Sequence, residues 1–312
     1  MKIAVLGAGA IGCYFGGVLA REKVDVTFIA KGRTLERLRD HELIIKSING
    51  DFTLPVKVSD AEQLNADINY DFILLAIKST ALECVIPELQ KLTGPRTKII
   101  CLLNGIGNEE RLAEQFGEDH VIGGSAFISI IREAPGVVNH VGDGKLIIGH
   151  WQTGTSDAAS EEGLAYLIGV FRKCGLEIEL SEHIQQIKWE KLLWNITYNP
   201  LTALTRTRVG EALADPDLYQ LLKQISTEFL TVAERAGIHI GDQYKKELLK
   251  PDEKIQNHKT SMLQDLENGC EMELDAILGF VIKTAKSLGL QLKTIETIYH
   301  LLRFTDHHPL NV

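Results

Sequence analysis

The chain has 312 residues, enough for about two domains of ordinary size. Hydrophobic residues make up 45% of it and charged residues 24%, which is typical of a globular protein with a sizeable core. The net charge of −9 and the scattered lysines and arginines argue against nucleic acid or an anionic membrane as a partner.

The first twenty residues, MKIAVLGAGAIGCYFGGVLA, fit two kinds of segment. Lys2, a long apolar run and the small residue Ala20 imitate a secretory signal. Five glycines argue against it, since each weakens a helix by about 1 kcal/mol relative to alanine. They suit instead a strand at 3–6, a G-x-G-x-x-G turn and a helix at 11–20, the pattern of a dinucleotide-binding site.

In that motif the glycines allow a tight turn, close approach of the backbone to a pyrophosphate and close packing of the helix on the strand. The free amides at the start of the helix then face the phosphates. The residues that the motif predicts to bind the cofactor are Gly7, Gly9, Ala10, Ile11 and Gly12.

Apolar runs alternate with helical segments through the first half of the chain. Strands are predicted at 24–30, 72–77 and 99–103, with a helix near 34–39 and another between the last two strands. This alternation predicts an α/β fold, a Rossmann doubly wound parallel sheet. We expect the segments 43–48 and 52–58 to form a small excursion, and 137–148 to form a hairpin that turns at Gly142-Asp143-Gly144.

From about residue 182 the character changes to long segments with a 3.6-residue period. We therefore predict two domains, an NADP-binding Rossmann domain at 1–182 and an all-α substrate and catalytic domain at 183–312. A cleft between them is the expected place for a substrate. The five cysteines show no C-x-x-C pair or zinc spacing, so we expect buried small residues in a reducing cytoplasm and no metal site.

Cations follow the second predicted strand where NAD-preferring sites usually carry an acid. Lys31 and Arg33 in FIAKGR suit a 2′-phosphate, which favours NADP(H), although both could be solvated loop charges. Polar residues also end two later apolar runs, Lys78 in LLAIKST and Asn104 in CLLNGIGNEE. Ligands of open α/β sheets lie outside the carboxyl ends of the strands, so the pair is expected at the nicotinamide end of the site.

A polar stripe marks the segment 187–205, IKWEKLLWNITYNPLTALT. Lys191, Asn195 and Asn199 recur every four residues and so share one face of a helix, which is either a solvated face or a ligand-binding stripe. Pro200 is expected to kink or end that helix. Further along, Ser261 and Glu273 lie in helical sequence on either side of a predicted break at Asn268-Gly269.

These segments together resemble one family. GAGAIG, LLAIKS, LLNGIGNEE, WEKLLWNITYNPLTALT with the following VGE, and SMLQDLENGCEMELD occur in the order and at about the spacing of the ketopantoate reductase (2-dehydropantoate 2-reductase) family. The resemblance spans essentially the whole chain. It implies a Rossmann domain followed by an all-helical domain, and NADPH-dependent reduction of 2-dehydropantoate to pantoate on the route to pantothenate and coenzyme A.

The resemblance also implies roles for individual residues. Lys191 matches the general acid that protonates the ketone oxygen as hydride arrives at the neighbouring carbon. The positions that match substrate ligands are Asn104, Asn195, Asn199, Ser261 and the hydroxyl acceptor Glu273. At the cofactor, besides the glycine turn, the resemblance implies Lys31, Lys78 and Asn104, and we also expect Arg33, beside Lys31, and Glu273 there.

Two alternatives stay open at this point. A reductase of another 2-oxo acid would carry the same machinery, so the small-molecule substrate is less certain than the reaction type. A sensor that binds NADP(H) without catalysis would have no need of an acid such as Lys191. A homodimer is compatible with an apolar face on the helical domain.

Overall fold

The computed structural model describes residues 1–63, 69–152 and 158–308 of the chain. It divides into two compact units. The first consists of Met1–Leu103 and Asn108–Ile184, and the second of Asn104–Gly107 and Gln185–Val312. The chain therefore passes into the second unit close to residue 182, where the sequence changes character, but one short loop of the first half belongs to the second unit.

One mixed sheet runs through the first unit. Its ten strands are β1 (Lys2–Leu6), β2 (Asp25–Ile29), β3 (Leu43–Ser47), β4 (Phe52–Leu54), β5 (Lys57–Ser59), β6 (Phe72–Leu75), β7 (Lys98–Cys101), β8 (Val121–Ala134), β9 (Val137–His150) and β10 (Glu177–Leu180). The strand order is β4-β3-β9-β8-β7-β6-β1-β2-β5, and β10 pairs with β9. All neighbours from β5 to β8 are parallel.

The parallel part of the sheet has the doubly wound Rossmann arrangement that the sequence predicts. Strands β1 and β6 are buried almost completely, which explains their continuous apolar runs. The strand order reverses beside β1, because β2 and β5 lie on one side and β6, β7 and β8 on the other. Such a reversal opens a crevice at the carboxyl ends of β1 and β6, where folds of this type bind ligands.

Helices cover the sheet of the first unit. They are α1 (Ala10–Arg21), α2 (Gly32–Asp40), α3 (Leu82–Leu92), α4 (Asn108–Phe116) and α5 (Ala158–Lys173). Phe15 of α1 packs edge-on against Phe171 of α5, with ring centroids 6.0 Å apart. A Cβ atom at Gly16 would lie 2.7 Å from the ring of Phe28 on β2, so this glycine lets α1 pack tightly on the sheet.

The segments expected to form a small excursion belong to the main sheet, so that prediction was wrong. Strand β3 pairs in parallel with β9, and β5 pairs in parallel with β2. The reason is burial on α1: Leu43 and Ile45 are fully buried, and a Cβ at Gly17 would lie 2.4 Å from Ile45 and 2.9 Å from Leu43.

The hairpin is longer than predicted and turns elsewhere. Strands β8 and β9 pair antiparallel and reverse at Pro135-Gly136, where Gly136 has a φ of +70°. Asp143 and Gly144 also have positive φ, but they lie within β9, close to a shift in its register with β8. Positive φ at these residues therefore produces a bulge and not the turn.

The cysteines differ in exposure. All five lie within the described residues as free thiols, and Cys13 and Cys101 are buried as expected. Cys84 and Cys270 are exposed, which contradicts the prediction for those two positions. Cys84 follows the exposed Glu83 on the outer face of α3, and Cys270 lies in the turn after α11 (Ser261–Glu267).

The second unit is helical throughout its described part, as predicted. Besides α11 it contains α6 (Ile184–Thr205), α7 (Val209–Ala214), α8 (Pro216–Arg235), α9 (Asp242–Leu248), α10 (Glu253–Gln256), α12 (Phe280–Ser287) and α13 (Lys293–His307). Helix α6 is its centre, since Leu192, Leu193, Ile196 and Leu201 are at most 1% exposed. No helix among the described residues has the length and apolar character needed to cross a bilayer.

Helix α6 continues through Pro200 to Thr205, so of the two predicted alternatives, a kink or an end at this proline, the end was wrong. Proline removes the hydrogen bond to the carbonyl one turn earlier. Burial of both flanks of α6 holds the helix together, and the hydroxyl of Thr202 donates to the carbonyls of Tyr198 and Asn199 at 2.8 and 3.2 Å.

Candidate active site

Two glycines of the first turn are required by the fold itself. Gly7 follows β1 with a φ of +104°, and a Cβ there would lie 2.6 Å from the carbonyl oxygen of Ala76. A Cβ at Gly12 would lie only 2.0 Å from the carbonyl oxygen of Gly7. Real Cβ atoms essentially never come this close, so the turn packs against Ala76, and α1 against the turn, only because these two side chains are absent.

Gly9 is different, because no protein group requires a glycine there. It is the residue before α1, its φ is −86°, and a Cβ would meet nothing nearer than the carbonyl oxygen of Ala76 at 4.0 Å. Ala10 and Ile11 follow it in the first turn of the helix, where backbone amides have no intrahelical partner. The open space over Gly9 and these amides fits the pyrophosphate of a dinucleotide.

The cations expected at the 2′-phosphate differ in their surroundings. Lys31 precedes α2 at the carboxyl end of β2, and its ammonium group forms an ion pair with Glu88 of α3. The hydrogen bond that Lys31 donates to the carboxylate of Glu88 raises the pKa of Lys31. Arg33 is exposed in the first turn of α2 and forms no ion pair or hydrogen bond with the described residues.

Lys78 lies close to the carboxyl end of another strand. It follows β6 by three residues, is half-buried, and precedes the short 3₁₀ turn Ser79–Ala81. Its extended backbone starts that turn without a side-chain cap. The structure thus places Lys78 beyond the carboxyl end of a parallel strand of the Rossmann sheet.

The loop Asn104–Gly107 packs against a π-helical turn, Asp275–Gly279, within the second unit. Gly105 has a φ of +79°, and a Cβ there would lie 2.2 Å from the carbonyl oxygen of Ala276. The amide of Ile106 donates to the same oxygen at 3.4 Å. These contacts hold Asn104 in place, and π turns of this kind are frequent at functional sites.

Three of the predicted residues form one hydrogen-bonded chain in the second unit. Lys191 Nζ donates to Asn104 Oδ1 at 3.2 Å, and Asn104 Nδ2 donates to Glu273 Oε2 at 3.0 Å. Glu273 is 7% exposed. It lies just before the helix that begins at Leu274 and not within it, which corrects the sequence interpretation, so its side chain projects from a helix start towards Asn104.

The surroundings of Lys191 adjust its acidity. Desolvation of the ammonium group, together with repulsion by the buried Lys188, lowers the pKa of Lys191 to about 8. Attraction by Glu273 acts in the opposite direction. Lys191 is thus protonated at neutral pH and releases its proton more readily than an ordinary lysine, which suits a general acid.

The two asparagines of the α6 stripe are buried and do not form a solvated face. Asn195 is 9% exposed and Asn199 3%, and neither side-chain amide has a hydrogen-bond partner among the described residues. The hydroxyl of nearby Thr197, by contrast, donates to the carbonyl of Leu193 at 2.7 Å. Neither amide is among the fully enclosed side-chain atoms that lack a hydrogen-bond partner in the described residues, so both are open to a ligand that binds beside α6.

Ser261 is exposed at the first position of α11. The preceding Thr260 caps this helix by accepting a hydrogen bond from the amide of Leu263, and its hydroxyl lies 2.7 Å from that of Thr202 on α6. Ser261 is therefore held beside α6, although no hydrogen bond within the described chain joins it to Lys191, Asn104 or Glu273. The predicted break after α11 is present, and Gly269 there has a φ of +62°.

Two charged residues were missed by the sequence interpretation. Lys188 is 4% exposed and lies one helical turn before Lys191, so the helical period contained a signal for it. Glu88 pairs with Lys31 across 57 positions, and nothing in the local sequence indicates that contact.

The sequence matches two family models. One, described as "Ketopantoate reductase PanE/ApbA", covers residues 3–153, and the other, "Ketopantoate reductase PanE/ApbA C terminal", covers residues 183–306. A curated relative, 2-dehydropantoate 2-reductase of Nostoc sp. (strain PCC 7120 / SAG 25.82 / UTEX 2576), is 31% identical over 308 residues, which are 98% of this chain and 95% of the relative.

Solved structures agree with these matches. A 2-dehydropantoate 2-reductase from Geobacter metallireducens GS-15 is 34% identical with a TM-score of 0.89, over 98% of this chain and 100% of that one. A complex of D-mandelate dehydrogenase with NADH is 25% identical with a TM-score of 0.87, over 98% of this chain and 99% of that one. The chain therefore belongs to the ketopantoate reductase family of oxidoreductases.

Proposed function

We propose that this protein reduces 2-dehydropantoate to pantoate with NADPH, on the route to pantothenate and coenzyme A. The observation that carries the proposal is the hydrogen-bonded chain of Lys191, Asn104 and Glu273, together with the lowered pKa of Lys191. A protonated amine of reduced basicity is the group that carbonyl reduction requires, because an alkoxide develops on the substrate oxygen. Family membership supports the same reaction.

Lys191 is the general acid in this proposal. Its ammonium group stabilises the charge that develops on the ketone oxygen and then donates a proton to that oxygen. Asn104 accepts a hydrogen bond from Lys191 and thereby orients it, while the carboxylate of Glu273 holds the Asn104 amide. The bound nicotinamide supplies the hydride that is added to the substrate carbon.

The remaining polar groups of the second unit bind the substrate. The residues Asn195 and Asn199 are largely buried, and their side-chain amides form no hydrogen bond within the described chain, so they offer donors and acceptors to a small polar molecule. The carboxylate of Glu273 accepts a hydrogen bond from a hydroxyl group of the substrate. The exposed hydroxyl of Ser261 donates a hydrogen bond to the carboxylate of the substrate. These roles are the ones that the family resemblance implies, and the hydrogen-bonding capacity of the residues suits a hydroxylated 2-oxo acid.

The cofactor binds to the first unit in this proposal. The open space over Gly9 and the first amides of α1 fit its pyrophosphate, and Lys31, Arg33 and Lys78 lie beyond the carboxyl ends of β2 and β6. Cations in place of an acid after β2 favour a 2′-phosphate over a free 2′-hydroxyl, and hence NADPH over NADH.

The near-ultraviolet absorbance of NADPH tests this proposal. We expect purified protein to oxidise NADPH rapidly when ketopantoate is added, more slowly with a panel of other 2-oxo acids, and more slowly with NADH in place of NADPH. Folded protein, verified by circular dichroism, that turns over no 2-oxo acid would overturn the proposal.

A second candidate is a reductase of a different 2-oxo acid. The likeness to D-mandelate dehydrogenase favours it, because that structure shares this fold over almost the whole chain. The catalytic chain of Lys191, Asn104 and Glu273 serves either substrate, so the substrate panel decides. Turnover with an aromatic 2-oxo acid and none with ketopantoate would establish this candidate in place of the first.

The lowered pKa of Lys191 predicts a pH dependence. Only the protonated amine can act as an acid, so kcat/KM for reduction should be level below about pH 8 and then fall about tenfold per pH unit. The reverse oxidation needs the neutral amine, and its rate should rise with pH up to the same value. Substitution of Lys191 by arginine, which stays protonated, should remove the alkaline limb from whatever reduction remains. An alkaline limb that persists unchanged in this variant would exclude Lys191 as its origin.

Location and assembly complete the proposal. Five free thiols support a reducing cytoplasm as the location.

Leu301 and Phe304 are exposed on α13, at 49% and 66%, and one helical turn apart, which supports a homodimer. Sedimentation equilibrium gives the mass in solution and tests the assembly directly.

A further inference from the structure

Lys31 is surrounded by negative charge in the first unit. Its ammonium group pairs with Glu88, and Asp60 and Glu62 also lie close enough to attract it. The sheet explains this arrangement: the amide of Ala30 donates to the carbonyl of Ser59 at 3.1 Å, so the residues after β5 lie beside those after β2. The cation expected at a 2′-phosphate is thus already neutralised.

The two partners of the ion pair differ in their exposure. The side chain of Lys31 is 60% exposed, whereas that of Glu88 is only 13% exposed. The carboxylate on α3 is thus largely enclosed by protein, whereas the lysine side chain has open solvent in which to take another position. A phosphate dianion that binds Lys31 must either draw it away from Glu88, which leaves a largely buried carboxylate without that partner, or lie close to the carboxylate itself.

We infer that Glu88 is a specificity-determining residue, which competes with the 2′-phosphate of NADP(H) for Lys31 and so reduces the preference for NADP(H) over NAD(H). This inference rests on the proposed binding of a nicotinamide dinucleotide to the first unit. A free 2′-hydroxyl carries no charge, so the affinity for NAD(H) is not subject to this competition. Glu88 therefore lowers the affinity for NADP(H) and leaves the affinity for NAD(H) unchanged.

Calorimetric titration with NADP⁺ and with NAD⁺ tests the inference without turnover. Glu88→Gln removes the charge and keeps the shape, so it should tighten NADP⁺ binding by about fivefold and leave NAD⁺ binding unchanged. Glu83→Gln is the matched control, because Glu83 lies on the same helix and pairs with Arg111 at 2.6 Å. It should change neither affinity. Thermal denaturation verifies that each variant is folded. Glu88→Ala is a second variant that also removes the negative charge at this position.

Three outcomes would overturn the inference. The first is no change in the NADP⁺ affinity of either Glu88 variant, the second is an equal change for both nucleotides, and the third is weaker NADP⁺ binding alone, which would show that Glu88 supports the phosphate site. If the unmodified protein bound neither nucleotide, the proposed function would fail as well. Normal binding with an unchanged ratio would reject only the role of Glu88.

Discussion

Replacement of Lys191 by methionine is expected to reduce kcat by about 10³-fold while the affinity for NADPH stays the same. In the proposed mechanism the variant loses both the proton donor and the positive charge beside the developing alkoxide. Its folding should be unaffected, because the surroundings of Lys191 already disfavour its charged form, as the lowered pKa shows. Steady-state kinetics and calorimetric NADPH binding, measured on the same preparation, separate catalysis from cofactor binding.

Lys223→Met is the control for this experiment, since Lys223 is exposed on α8 and takes part in none of the proposed chemistry. It should keep full activity. If Lys191→Met retained more than about a tenth of the turnover, the proton would have to come from another group, since a general acid contributes at least about 10²-fold. Loss of NADPH binding in the same variant would instead indicate that Lys191 contacts the cofactor.

Local sequence carries the parts of the fold that depend on neighbours along the chain. The first strand, the glycine turn and α1 follow from residues within one segment, and the polar stripe of α6 follows from a four-residue repeat. The pairing of β3 with β9 joins segments more than 90 positions apart, such as Ile45 with Val138. No local pattern specifies such a partner. The segments 43–48 and 52–58 were therefore predicted to form an excursion outside the main sheet.

The hairpin shows how turn residues can mislead. Gly142-Asp143-Gly144 has the composition of a tight turn, and Asp143 and Gly144 do adopt positive φ, but the chain reverses at Pro135-Gly136. The composition thus correctly indicated a positive φ at Asp143 and Gly144, but it wrongly indicated that the chain reverses there. The two-residue connection leaves long strands on both sides, and the bulge accommodates the extra residues within them.

The candidate site divides in the same way. Helical spacing alone singled out Lys191, Asn195 and Asn199 on one helix. The link from Lys191 through Asn104 to Glu273 spans 87 and 169 positions and depends on packing of the loop Asn104–Gly107 against a π turn. Only the family resemblance placed these residues in one site before the structure did so.

The two glycines Gly9 and Gly12 are expected to respond oppositely to the same substitution. In Gly12→Ala the new methyl group would lie 2.0 Å from the carbonyl oxygen of Gly7, so α1 must move off the turn. Overpacking of this kind should lower the free energy of unfolding by about 2–3 kcal/mol. Chemical denaturation monitored by tryptophan fluorescence measures this loss.

In Gly9→Ala the methyl group has space, and the backbone of Gly9 lies in a region open to alanine. The free energy of unfolding should therefore hardly change, while NADPH binding weakens by about tenfold or more, because in the proposed binding mode the methyl group occupies the path of the pyrophosphate. Equal stability with unchanged NADPH affinity would show that the cofactor does not approach this turn. The contrast between the two variants is informative because packing within the protein requires a glycine at position 12, whereas at position 9 only the proposed dinucleotide requires one.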